Sequence, residues 1–115
     1  MAGFEIKPMK SRLREVNISE WTDQVRAFVR DLNVVERMVV NDLIDRFFNS
    51  KNHSSEERAE AGLNACVMVL TDEKGDQLLG PDRLEELKKA SFEPVGRVIR
   101  LLLDSKTKDD SLKKD

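Results

Sequence analysis

The chain has 115 residues, enough for one domain with a single core and too few for two. Charged residues make up 37% of it, yet the signs nearly cancel to a formal net charge of −2, which argues against nucleic acid as the main partner because phosphate binding needs a basic face. No apolar run approaches the roughly 18 residues a membrane span requires, and a single cysteine can form no internal disulfide, as suits a reducing compartment.

Residues 1–11 have no periodicity and contain Pro8, so a flexible N-terminus is expected there. They also lack the apolar stretch of a signal peptide, and the protein is expected in the cytoplasm. In residues 12–21, Val16 and Ile18 alternate with Glu15, Asn17 and Ser19, the period-two pattern of a half-buried strand. Thr22-Asp23 reads as a two-residue turn, although it lacks the glycine that favours one. Residues 24–30 alternate again, with Val25, Ala27 and Val29 on one face and Arg26, Phe28 and Arg30 on the other. The two runs predict a β-hairpin. Because a lone hairpin is marginal in water, one of its faces is expected against helices.

Asn33 stands three residues before Glu36, an N-cap arrangement that opens a helix through Phe48. This helix is unusually apolar, with Val34, Val35, Met38, Val39, Val40, Leu43, Ile44, Phe47 and Phe48. At about 100° per residue these cover well over half the circumference, more than one buried face requires. Two readings follow. Either this is the central helix, packed by the hairpin on one side and helices on the other, or part of its surface is a protein-binding or self-association patch. For the patch, the candidate partner-binding residues are Val34, Val40, Ile44 and Phe48.

After a polar loop over residues 49–55, Ser54 stands three residues before Glu57 in a capping-box spacing. The helix it opens carries a stripe of Ala59, Leu63, Cys66, Val67 and Leu70. The run from Cys66 to Leu70 also suits a strand, so the last turn could be extended instead. Residues 72–76 predict a turn in which Gly75 supplies a positive φ. Gly80-Pro81-Asp82 restarts a short helix whose apolar edge is Leu84 and Leu87. Ser91 and Pro94 open the last helix, with Val95, Val98, Ile99, Leu102 and Leu103 as an inward stripe. Leu63, Val67, Leu70, Leu84, Leu87, Val98, Ile99 and Leu102 are expected in the core, faced by Val39, Leu43 and Phe47. The charged residues 105–115 are expected to form a disordered tail. The whole predicts an α+β fold: an N-terminal β-hairpin packed on a bundle of three to four α-helices, one domain over residues 12–104.

Catalytic and metal-binding patterns are sparse. Cys66 lies on an apolar stripe and reads as a small buried thiol rather than a nucleophile. His53 sits in a polar loop, and one Cys with one His supplies too few ligands for zinc. Asp72, Lys74 and Asp76 start like a calcium loop, but Gln77 and Arg83 stand where that loop needs Gly and Glu, so a turn is the better reading. No glycine-rich phosphate loop is present, since Gly62, Gly75, Gly80 and Gly96 are isolated. A non-enzymatic protein without cofactors is expected.

The order of segments resembles the small tail assembly chaperones of long-tailed bacteriophages and prophages. The resemblance rests on EVNISEW followed by QVRAFVRDLNVVER, and on ACVMVLTDEKGDQLLGPDRLEELKKASFEPVGRVIRLLLD. One departure is Gly80-Pro81, where the family pattern suggests an aromatic before the restart. The resemblance implies a cytoplasmic protein of the bacterial host that binds the helical tape-measure protein and promotes tail-tube assembly. It further implies absence from the mature virion and a longer form made by frameshifting. The alternative is a regulatory adaptor or antitoxin-like protein-binding domain. A more distant third is a nucleic-acid module using Lys7, Lys10, Arg12, Arg14, Arg26 and Arg30.

Overall fold

The computed structural model describes the backbone of residues 3–114 and the side chains as far as Asp104. Met1 and Ala2 of the expected flexible N-terminus, and Asp115 of the expected tail, lie outside the described residues. Strand β1 (Leu13–Val16) and strand β2 (Ala27–Arg30) are followed by helix α1 (Val34–Phe48), helix α2 (Ser55–Val69) and strand β3 (Leu70–Thr71). A 3₁₀ turn over Pro81–Arg83 leads into the single-turn helix α3 (Leu84–Leu87), and α4 (Glu93–Lys114) closes the order. The architecture is α+β, as the sequence predicts. Helix α4 continues past Asp104 in backbone, into the segment for which a tail without order is expected.

The sheet is antiparallel, in the order β1-β2-β3. Leu13 pairs with Arg30 and Val16 with Ala27, while Val29 pairs with Leu70 and Phe28 with Thr71. Because neighbours across an antiparallel pair share a face, Val16, Ala27, Val29 and Leu70 are buried toward the helices. The third strand is the extended option that the run ending at Leu70 left open: α2 passes into it without a loop.

The two-residue turn at Thr22-Asp23 does not form. Residues 17–26 make a longer connection instead, in which the amides of Trp21 and Thr22 donate to the Ile18 carbonyl at 2.8 and 3.1 Å. A tight hairpin turn needs positive φ, and among the described residues only Gly75 has it. The detour also lets the Trp21 indole N–H reach the Ser91 carbonyl at 2.8 Å, tying the loop to the start of α4. Val25 falls within this connection and is exposed, not on the buried face with Ala27 and Val29.

The central helix is α2, not α1. Its Ala61, Leu63, Ala65, Cys66, Val67 and Val69 are buried around most of the circumference, with α1, α3, α4 and β2 all packed against it. Small residues make this crowding feasible. A methyl group on Gly62 would sit 2.8 Å from Phe47 Cδ1 and 3.1 Å from Val95 Cγ1, so α1 and α4 both close on this point of α2. Val98, Ile99 and Leu102 of α4 and Leu87 of α3 complete the core, while Leu84 is half-buried and Leu103 turns outward. Both capping boxes form. Asn33 Oδ1 accepts from the Glu36 amide and Ser54 Oγ from the Glu57 amide, and each glutamate carboxylate accepts from its cap's N–H in return.

Candidate functional site: the outward face of helix α1

With α2 at the centre, α1 is a peripheral helix. Val40 and Ile44 form its buried line, 0% and 7% exposed, with Leu43 and Phe47 half-buried beside them. This corrects the candidate partner-binding set: Val40 and Ile44 are core, whereas Val34 and Phe48 are exposed at 78% and 58%. It also corrects Val39, which was expected to face the core and is 45% exposed. The physical reason is that α1 docks chiefly on α2, so a single stripe is covered.

What remains outside is an apolar patch on the first two turns, made by Val34, Val35, Met38 and Val39. Val35 and Met38 are 71% and 65% exposed. The charged positions of the same helix identify this side. Asp42, Asp45 and Arg46 are exposed one and two turns further on, at helical spacing from Val35, Met38 and Val39. That signal was available in the sequence and separates the outward residues from Val40 and Ile44.

The patch is held on a firm base. Arg30 of β2 makes a bidentate pair with Glu36 at 2.9 Å in both arms, and its guanidinium also donates to the Met68 carbonyl of α2 at 3.1 Å. These bonds, with the Asn33 cap, hold the Glu36 carboxyl below the usual carboxylate range. Strand, α1 and α2 therefore meet at one charged junction beneath the patch. At the other end of α1, Arg58 Nε donates to the Phe47 carbonyl at 2.9 Å. The Phe47 ring lies edge-on to Phe48 and stacks on Phe92 at 6.1 Å, leaving Phe48 and Phe92 largely exposed. A notch of about 100 Å³ opens beside them between Phe47, Leu63, Leu87 and Val95.

The remaining candidates for chemistry have structural explanations. Cys66 is fully buried, and burial pushes its thiol up to about 12, where it is no nucleophile at neutral pH. His53 is half-buried in the loop before α2, its Nδ1 3.9 Å from the Glu57 carboxylate. Asp72 organises the turn, since its Oδ1 accepts from the amides of Lys74 and Asp76 at 2.9 and 3.0 Å. Lys88 is encircled by Glu60 and Glu85 at 2.7 Å, which raises its pKa and locks α3 to α2. A cleft of about 280 Å³ lies around Trp21, Val25, Leu78, Leu79 and Leu87.

Taken together, the fold presents an apolar helix face and shallow clefts on a charged exterior. Among solved structures, the bacteriophage HK97 tail assembly chaperone shares this fold: TM-score 0.55, covering 86% of this chain and 85% of that one, at 16% sequence identity. No family model matches the chain, and no curated protein does.

Proposed function

We propose that this protein is a non-enzymatic tail assembly chaperone that binds a helical tape-measure protein and promotes tail-tube assembly in the host cytoplasm. The observation that carries the reading is the shared fold with the HK97 tail assembly chaperone over most of both chains. The segment order read in the sequence leads to the same class independently. The proposed contact is the outward face of α1, where Val34, Val35, Met38 and Val39 offer the anchors that an amphipathic partner helix would cover. Tail-tube protein is the second proposed partner, and neither nucleic acid nor membrane has a role.

The test compares two charge substitutions on one helix. Met38→Glu places a carboxylate in solvent on the patch, so the variant should melt like the wild type and fail to capture the candidate tape-measure protein. Val40→Glu buries a lone carboxylate in the core and should unfold the domain at a cost of several kcal/mol. A folded Met38→Glu protein that captures the partner at full strength would remove α1 from the interface. Wild-type protein that captures neither tape-measure nor tail-tube protein would sink the chaperone reading itself, in favour of an adaptor for some other folded partner.

A further inference from the structure

We propose that the outward face of α1 selects its partner helix by charge and register. The helix that fits is apolar where it meets Val34, Met38 and Phe48, and it carries a lysine or arginine in the layer that meets Asp45. This selectivity rests on α1 being the partner face, as proposed above, and names the kind of helix that face accepts. Val34, Met38, Asn41, Asp45 and Phe48 follow one another at steps of four, three, four and three residues, the spacing of a coiled-coil seam. None of the five is buried. A helix crossing α1 at the shallow angle of about 20° would touch all five, over roughly 21 Å of its length. The seam is apolar at both ends, and at the far end Phe48 and, across the Phe47 ring, Phe92 are both exposed. Its middle is polar.

The polar middle carries the selectivity. Among the described residues, the carboxylates of Asp45 and of Asp42 beside the seam make no ion pair or hydrogen bond, whereas Glu36 at the start of the helix is held by Arg30. In water these two groups need no partner. Under an apolar helix they would lose their hydration and gain nothing, a cost that a facing ammonium or guanidinium offsets. One polar layer in an apolar seam also fixes register. Sliding the partner by a heptad carries its cation onto Met38 and an apolar residue onto Asp45. Arg46 lies outside the seam, toward Val35 and Val39, and keeps its water. A second copy of α1 fits poorly. Packed parallel and in register it sets Asp45 on Asp45. Packed antiparallel, with Met38 against Phe48, it crowds Asp42 and Asp45 of both copies around the two-fold axis.

The test uses two synthetic helical peptides about three heptads long, with leucine in the seam. One carries a lysine in the central seam layer. The other has the same composition, with that lysine exchanged for a glutamine of the outer face, so general attraction to a protein of net charge −2 is equal for both. Wild-type protein should bind the seam-lysine peptide about tenfold more tightly, and Asp45→Lys, at an exposed position, should reverse the order. Equal affinities, a preference that Asp45→Lys leaves unchanged, or failure to bind either peptide would overturn the proposal. Met38→Glu should abolish binding of both, and binding that survives it would place the peptides off this face and overturn the proposal too. Sedimentation of the protein alone should show a monomer; a dimer that Met38→Glu dissolves would assign the face to a second copy instead. Neither peptide contains tape-measure sequence. An Asp45-dependent preference in a protein that captures no tape-measure protein therefore upholds the selectivity and sinks the chaperone reading, whereas capture without the preference does the reverse.

Discussion

At the scale of single residues, the local signals in the sequence were readable and the long-range ones were not. Asn33 with Glu36, Ser54 with Glu57, and Gly75 each act within a few positions of themselves, so spacing was enough to place both capping boxes and the turn. The partner of Glu36 on β2, the carbonyl that Arg30 finds on α2, and the close approach at Gly62 all depend on tertiary packing that no local window contains. Gly62→Ala should therefore destabilise by about 1–2 kcal/mol in denaturant melts, because displacing the Phe47 ring from its stack outweighs the gain in helix propensity. Ile99→Ala, deleting a side chain only 3% exposed, should cost about 2–5 kcal/mol, and a cost near zero would mean that α4 is not docked. Glu36 gives a pH signature. Its folded pKa is depressed, chiefly by the Arg30 bond, so its contribution is present above the ordinary glutamate range and is lost as pH falls through the depressed value. Stability curves of Glu36→Gln should thus be flatter than wild type on the acid side and lower at neutral pH.

Among the elements, type was legible wherever periodicity ran long, and role was not. Both long helices following the hairpin were readable from capping and spacing, yet the more apolar of the two proved peripheral. Hydrophobicity alone ranks α1 above α2, whereas centrality needs small side chains that admit neighbours on several flanks, and Ala61, Gly62 and Ala65 supply them. The surplus apolar surface on α1 was legible as a quantity, and its side was legible too, from the helical spacing of Asp42, Asp45 and Arg46 with Val35, Met38 and Val39. Weighing the apolar residues without those charges is what places Val40 and Ile44 outward. Met38→Glu and Val40→Glu, two residues apart, should accordingly part company in a thermal melt, the first unchanged and the second unfolded. The short third strand was legible only as an alternative to the last turn of α2, because two residues carry no period of their own.

For the molecule as a whole, the N-terminal segment and α4 are laced together across the core. Trp21 bonds the Ser91 carbonyl, Arg14 donates to the Leu101 carbonyl at 3.1 Å, and Arg97 makes a bidentate pair with Glu20. Residues ahead of Arg12 take no part in this lacing, and with Phe4 and Ile6 86% and 83% exposed the melting temperature of a Phe4→Ser, Ile6→Ser protein should match wild type within about 2 °C. The pairing of Phe28 with Thr71 has a further consequence in time. The chain between them holds all of α1 and α2, so β3 can find β2 only after those helices have folded back on each other. A contact made so late should be absent from the folding transition state, so that its loss is felt on the return path alone. Stopped-flow measurements on Leu70→Ala should show unfolding accelerated many-fold and refolding close to the wild-type rate, so the last strand to join acts as the latch that sets how long each folded molecule survives.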